Sequence, residues 1–358
     1  MVEKATAEKS IEHAIELHEG AMAALEGGRW AEAEAAALES RRIFEREDGP
    51  ESPDVANICN LLSGIAEAQV QYAAALEYAH HAWDLMQRLG SRCEGPEAES
   101  IRLEALARVG TALRCAGRYT EAEAWFLRAI ERAESVNREL PAALNNLGML
   151  YKYSGNFDAA EPLYRRALTL VEENSEFAAS LYHNLGGLAH ARGDFAAGEA
   201  DGRRAWEIRR AILGPDHTDT LADACAYAAI LDGLERYEES EPIYRHALSI
   251  FEERLGPDHL EIAVNLNNLA AVRRERGDLV EAEAFYKRAL AMKEKLFGAV
   301  HPDTALTACN YASLLDQLGR VEEARPMARA ALTALEAALS ESHPRVVAAR
   351  ELWNTIRG

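Results

Sequence analysis

The stretch that decides the fold runs from residue 144 to residue 164 and begins Leu144-Asn-Asn-Leu-Gly-Met-Leu-Tyr151. It continues through Gly155 to Ala160 and Tyr164. The spacing Leu-x2-Leu-Gly-x2-Tyr, followed by Ala-x3-Tyr, puts apolar and small residues on one face of each of two helices. Gly155 separates the two stretches, and glycine readily adopts the left-handed backbone of a tight turn. The segment therefore predicts two antiparallel helices joined at Gly155.

The same pattern recurs along the whole chain. Each copy has a turn residue that is followed two positions later by an aromatic or apolar residue, and then by a small residue. The eight turn residues are Gly28, Val70, Gly117, Gly155, Gly193, Glu235, Gly277 and Gly319. Self-similarity at a spacing of 38 to 47 residues is typical of an array in which each helix pair packs on its neighbours.

A longer loop joins the later copies and has its own pattern. It reads Leu-Gly-Pro-Asp-His at 213–217 and 255–259, becomes Phe-Gly-Ala-Val-His at 297–301, and shrinks to Ser-His-Pro at 342–344. The helix pairs resemble tetratricopeptide repeats, and this loop together with the 42-residue step resembles the repeats of kinesin light chains. The resemblance implies an all-α, right-handed α-solenoid of about eight helix-turn-helix repeats. We expect the repeats to occupy residues 1–343 and a C-terminal capping helix to occupy residues 344–358.

The region before the repeats has no sustained heptads, unlike the motor-binding part of kinesin light chains. We therefore expect a stand-alone repeat protein and not a motor subunit. A module taken from another repeat protein is an equally open interpretation. The segment Gly90–Pro96 is the longest expected linker, either an extended loop or a hinge.

Four histidines, His217, His259, His301 and His343, stand 42 residues apart. They suggest a metal series, but successive repeats are separated by far more than the roughly 2 Å reach of a metal ligand. We predict that they shape the loops and cap helices, and that the chain holds no metal and no cofactor.

The composition excludes several classes of partner. The formal net charge is −20, which argues against nucleic acid and against anionic membrane surfaces, because both are bound through Lys and Arg. The five cysteines form no C-x-x-C pair, which favours unpaired thiols in a reducing compartment. Without an apolar run of membrane-spanning length or a signal peptide, the sequence predicts a cytoplasmic protein.

No sequence motif indicates catalysis. We find no phosphate loop, dinucleotide fingerprint, G-x-S-x-G or H-E-x-x-H, so we expect a protein that is not an enzyme.

The informative set of polar residues lies one position beside the core stripe of each first helix, and the family resemblance places it in the concave groove. Asn is a mediocre helix residue, so its return in mid-helix needs a reason. Asn amides can pair with a peptide backbone of any sequence, or they can bridge neighbouring helices and hold the repeats in register. Basic groups on the same stripe would attract acidic side chains. The candidate groove residues are Asn60, Arg108, Arg114, Asn145, Asn146, Lys152, His183, Asn184, His190, Asn267, Asn268, Arg274 and Asn310.

These residues predict a non-catalytic scaffold or adaptor that binds an extended, acidic peptide segment. Two other functions remain open: a regulatory subunit or peptide-signal sensor for a partner enzyme, and a self-associating structural scaffold. The carboxylate clamp of heat-shock co-chaperones does not fit, because no repeat has Lys at the position of Asn145.

Overall fold

The computed structural model describes residues 2–341 and 343–357, with the side chains of residues 9–25, 27–341 and 343–357. Every long element in this part of the chain is an α-helix, and none of it forms a strand. No helix of the described residues is long and apolar enough to cross a membrane. The all-α architecture of eight helix-turn-helix repeats, followed by one more helix, is confirmed.

The first helices of the eight repeats are α1 (Val2–Glu26), α3 (Pro53–Ala68), α5 (Pro96–Cys115), α7 (Pro141–Ser154), α9 (Glu176–Arg192), α11 (Thr218–Gly233), α13 (Leu260–Glu275) and α15 (Pro302–Gln317). The second helices are α2 (Trp30–Glu47), α4 (Tyr72–Leu89), α6 (Tyr119–Ser135), α8 (Phe157–Leu168), α10 (Phe195–Leu213), α12 (Tyr237–Arg254), α14 (Leu279–Phe297) and α16 (Val321–Ala338). The C-terminal helix is α17 (Pro344–Arg357).

The turn inside each repeat has a left-handed residue at the predicted place. Gly155 has φ of 80°, and the backbone N–H of Asn156 donates to the carbonyl of Tyr151 at 2.8 Å, which closes α7. Val70 and Glu235 hold the same position with φ of 63° and 60°. The array thus imposes the turn even on residues for which this backbone costs energy.

The spaced histidines cap helices. Nδ1 of His217, His259 and His301 accepts a hydrogen bond from the backbone N–H two residues further on, at 3.2 Å each. His343 does the same for Arg345 at 3.1 Å. These bonds satisfy amide groups that a helix start leaves unpaired. The prediction of a capping role is confirmed, and the described residues contain no cluster of three or more metal-ligating side chains.

The linker at residues 90–96 is anchored to the following helix. It contains a short 3-10 turn over Gly90–Arg92, and the guanidinium of Arg102 donates to the carbonyl oxygens of Gly90 and Cys93. Arg102 itself is buried, at 7% exposure. These bonds favour an ordered loop over a hinge.

The cysteines are all free, and three of them, Cys59, Cys225 and Cys309, are buried. Burial raises the pKa of these three thiols, so they remain protonated and unreactive. Cys225 and Cys309 are small core residues at equivalent places of two repeats, as the sequence predicts.

The chain divides into two compact units, Met1–Leu150 and Tyr151–Gly358. The core of the first unit is built from apolar residues of its first and second helices, such as Phe44, Ile58 and Leu85. The second unit contains successive apolar clusters, centred on residues such as Phe251 and Leu266 and then on Leu314 and Leu335.

Helix α17 packs against α15 and α16 at the end of the second unit. It buries Val346, Ala349 and Ile356, and Leu352 and Trp353 lie partly buried against the same clusters. An amphipathic helix of this kind covers the apolar face that the last repeat would otherwise expose.

Candidate functional site

In the first unit, two of the candidate amides link neighbouring first helices. Asn60 is fully buried, and its Nδ2 donates to the carbonyl of Ile101 in α5 at 3.1 Å. Nδ2 of Asn146 in α7 donates to Oγ1 of Thr111 in α5 at 3.4 Å. Asn60 therefore holds the repeats in register and is withdrawn from any ligand, which corrects its assignment to the groove.

The two candidate arginines of the first unit differ in their partners. Arg108 makes ion pairs with Glu104 at 3.2 Å and Glu67 at 3.6 Å, so its charge is already neutralised within the chain. Burial raises the pKa of Glu67, although Arg108 and Arg114 oppose the shift. Arg114 has no ion pair among the described residues, and its Nε is buried without a hydrogen-bond partner. Of these two arginines, Arg114 is thus the one without an ion pair among the described residues.

Asn145 is partly buried on the same helix as Asn146. Its Nδ2 lies 3.8 Å from Sδ of Met149 one turn further along α7.

In the second unit, three of the candidate amides form part of one hydrogen-bond chain across four helices. Nδ2 of Asn310 donates to Oδ1 of Asn267 at 3.1 Å, and Nδ2 of Asn267 donates to Oδ1 of Asn268 at 3.2 Å. Asn268 bonds in turn to the hydroxyl of the fully buried Tyr244. That hydroxyl donates to Oδ2 of Asp232 at 2.7 Å. The amides therefore tie α15, α13, α12 and α11 together.

The carboxylate of Asp232, at the end of this series of hydrogen bonds, lies in an environment that disfavours its charge. Burial raises the pKa of Asp232 to about 6, and hydrogen bonds from Ser240 and Tyr244 oppose the shift. Its other oxygen, Oδ1, is buried without a hydrogen-bond partner. Asp232 is thus a partly buried acid whose charge costs folding free energy at neutral pH.

His183 and Arg274 are also bound by the chain itself. Nδ1 of His183 lies 2.8 Å from Oδ1 of Asp223, whose Oδ2 accepts from Nε of Arg209 at 2.7 Å. Asp223 is buried, so this bridge joins α9, α10 and α11, while 38% of the His183 side chain stays exposed. Arg274 pairs with Glu275 at 2.6 Å and donates to Oγ of Ser313 at 3.3 Å. Asn184, on α9 beside His183, is half-buried and also has a partner.

Lys152, at the end of α7, is different from Arg108 and Arg274, which are both ion-paired within the chain. It has no ion-pair partner among the described residues. Its Nζ lies 2.5 Å from the point where a Cβ of residue 187 would stand, so only glycine at that position leaves room for the ammonium group. Burial, together with the charge of Arg345, lowers the pKa of Lys152 to about 8. The ammonium group of Lys152 thus lies near a second positive charge and has no carboxylate within ion-pair distance among the described residues.

His190 lies beside Lys152 and Arg345. Burial and the charges of Lys152 and Arg345 lower the pKa of its imidazole, which is therefore neutral at pH 7. Its ring meets Phe195 edge-on with centroids 5.4 Å apart. More than a third of His190 is nevertheless accessible to solvent, so a ligand can reach it.

The sequence analysis did not place two further residues, His343 and Arg345, near Lys152. His343 and Arg345 begin α17, nearly 200 residues further along the chain. His343 is buried, it hydrogen-bonds to the backbone of Tyr153, and its Cδ2 lies 3.3 Å from where a Cβ of residue 155 would stand. No periodicity in the sequence signals this contact, because it depends on how the successive repeats turn.

The comparisons with known proteins agree with this architecture. A tetratricopeptide repeat family model matches residues 102–173, 177–253, 224–295 and 261–337. No curated protein is significantly similar to the chain.

Solved structures with a similar fold include a Rap protein complexed with competence and sporulation factor. It is 15% identical, the match covers 97% of this chain and 98% of that one, and the TM-score is 0.61. The Rap conjugation gene regulator of the plasmid pLS20, solved in complex with a peptide, is 18% identical over 78% of this chain and 73% of that one, with a TM-score of 0.58. The kinesin light chain TPR-like repeats of Podosopora anserina are 16% identical over 56% of this chain and 99% of that one, with a TM-score of 0.42. The family model covers well over half of the sequence, and the chain belongs to the tetratricopeptide repeat family.

Proposed function

We propose that this protein is a non-catalytic interaction scaffold that binds an extended peptide segment with acidic side chains on the first helices of its second unit. Tetratricopeptide repeat proteins are generally protein-interaction scaffolds. The observation that carries the acidic specificity is Lys152, a cation without an ion-pair partner among the described residues of a chain with net charge −20. Reduced, buried thiols are consistent with work in the cytoplasm.

The contacts within the chain narrow the set of ligand-binding residues. The polar atoms of Arg108, Asn146, Asn267, Asn268, Arg274 and Asn310 already bond within the fold. We therefore assign these six to repeat register and surface charge balance. Lys152 and His190 remain the proposed ligand contacts of the second unit. His183 stays with them, although its Nδ1 pairs with Asp223, because 38% of its side chain is exposed, and Asn184 lies beside it on α9. Arg114, with Asn145 on the neighbouring first helix, is the corresponding proposal for the first unit.

Peptide binding also suits the fold. The pLS20 regulator, which has a similar fold, was solved with a peptide, so a chain folded in this way can hold one. At 18% identity the likeness concerns the fold, and the acidic preference is argued from Lys152 alone. Hydrogen bonds to charged groups contribute about 1.5–3 kcal/mol each, and neutral ones about 0.5–1.5 kcal/mol. Several of these, less the cost of ordering a flexible segment, give micromolar affinity, or about −8 kcal/mol.

Fluorescence anisotropy with labelled peptide pools tests the proposal. One pool contains Glu and Asp at fixed positions, and the matched pool contains Gln and Asn at the same positions. We expect micromolar binding of the acidic pool, at least tenfold weaker binding of the amide pool, and weakening as salt screens the attraction. Equal affinity for both pools, or no binding of either, would refute the acidic-peptide function.

A further inference from the structure

The start of α17 and the end of α7 lie together in the second unit. His343 fixes this contact, because it is buried, bonds to the backbone of Tyr153 and packs over Gly155. The same histidine caps α17 by accepting the backbone N–H of Arg345. The histidine that anchors the helix thus also sets the place of Arg345.

Three basic side chains surround this contact: Lys152 from α7, His190 from α9 and Arg345 from α17. Arg345 is close enough for its charge to lower the pKa of both Lys152 and His190. Among the described residues its one carboxylate partner is Asp303, at 3.4 Å, and both members of that pair are about 40% exposed. An exposed pair of this length is weak, and the guanidinium keeps further donors for another acceptor.

Like charges that share a partly enclosed space repel one another, and burial adds to the cost of each. The chain has 59 acidic residues, yet no carboxylate lies within ion-pair distance of Lys152 among the described residues. A bound anion would supply the missing negative charge. An ammonium and a guanidinium together offer several donors to the two oxygens of a carboxylate.

We propose that Lys152 and Arg345 together hold the side-chain carboxylate of an acidic residue in the bound segment. The C-terminal helix is then part of the binding site as well as the cover of the last repeat. This inference rests on the proposed function, since it names where that function recognises its ligand. His190 lies beside the two cations and packs against the ligand, with its ring held by Phe195.

A consequence is that ligand binding and the docking of α17 stabilise each other. A ligand that contacts both α7 and α17 binds more tightly when α17 is docked than when it is undocked. It therefore stabilises the docked state by this difference in binding free energy. Bound peptide should therefore slow amide hydrogen exchange at the start of α17. A peptide bound elsewhere would leave that exchange unchanged.

The test uses the full chain and an acidic peptide with an amidated C-terminus, so that only side-chain carboxylates are available. Binding is measured for Lys152→Met, Arg345→Met and the double variant. The matched control is Lys295→Met, which removes one positive charge from the partly exposed pair with Asp258 in the same unit. Circular dichroism confirms that each variant is folded.

We expect each single substitution to weaken binding at least tenfold, and the double variant to be less affected than the product of the two. The control should stay within twofold of the wild type. The pH dependence of wild-type binding is a second test. The affinity for the acidic peptide should fall as pH rises through about 8, where Lys152 loses its proton, and this fall should be absent in Lys152→Met. Arg345 and His190 are close enough to interact with the charge of the lysine, and neither of them changes charge in that range.

Wild-type affinity in both single variants, with the acidic peptide still preferred over its amide counterpart, would overturn this site while leaving the proposed function intact. If the substitutions weaken binding only of a peptide that has a free C-terminus, the site holds a terminal carboxylate. That result would also overturn the side-chain assignment. Failure of the wild type to bind any acidic peptide would overturn both proposals.

Discussion

Replacing Asn268 with Ala separates the two roles that the sequence allows for the recurring amides. The substitution removes the acceptor of the Asn267 amide, at 3.2 Å, and the hydrogen bond to the buried hydroxyl of Tyr244. Each lost hydrogen bond costs about 1 kcal/mol, and the higher helix propensity of Ala offsets about 0.5 kcal/mol of the total. We expect a net loss of about 1–2 kcal/mol in the free energy of unfolding.

For a unit of 150–250 residues, 1 kcal/mol shifts the melting temperature by about 2–4 °C, so the variant should melt roughly 3–6 °C lower. The assay is thermal unfolding by circular dichroism, paired with acidic-peptide affinity measured well below the transition. Asn354→Ala is the matched control, because Asn354 is exposed on α17 and has no hydrogen-bond partner among the described residues. The register role requires a lower melting temperature, unchanged affinity and an unaffected control. An unchanged melting temperature with tenfold weaker peptide binding would show that Asn268 serves the ligand.

Three further outcomes are expected. Burial raises the pKa of Asp232 from 3.8 to about 6, so ionising it destabilises the fold, and this penalty grows between pH 4 and pH 7 to about 3 kcal/mol. Urea unfolding at both pH values should therefore show Asp232→Asn gaining stability relative to wild type as pH rises, and a constant difference would contradict the shift. Val70→Gly should raise the free energy of unfolding of the first unit by about 1 kcal/mol, because it removes the backbone strain of a β-branched residue in the left-handed region whose side chain is 66% exposed. A loss of stability would show that the contacts of the valine side chain outweigh this strain. Deletion of residues 344–358 should lower the melting temperature and the solubility of the second unit, because α17 buries Val346 and Ile356 and burying such a side chain is worth about 1.5–3 kcal/mol. An unchanged melting curve would mean that α17 does not protect the last repeat.

Much of the fold could be predicted from the sequence because each repeat is a local structure. Small and aromatic residues at helical spacing fix the two helices, and the turn residue fixes the reversal between them. This worked even where Val70 replaces glycine, because the neighbouring repeats define the position. The order of the helices and the capping role of the histidines followed from the same periodicity.

The site was harder to predict, because a polar side chain on a first helix can bond to the next helix or to a ligand. Some of the answer was already in the sequence: Glu104 stands four residues before Arg108, the spacing at which opposite charges on a helix meet. The pair of Arg274 with the adjacent Glu275 does not follow from helical spacing. Lys152 has no acidic residue within one helical turn in either direction. The amide chain from Asn310 to Asp232 and the approach of Arg345 could not be predicted, since they depend on the rotation from one repeat to the next.

The contact of His343 with Gly155 gives the second unit a fixed repeat number. An open solenoid tolerates an additional copy, because each repeat touches only its neighbours. Here the last helix returns to the first turn of the unit, so the repeats between them act as a measured spacer. Inserting one more 42-residue block would preserve every helix pair and every histidine cap, yet it would carry Arg345 away from Lys152. Evolution can therefore exchange repeats within this unit more readily than it can add or remove one.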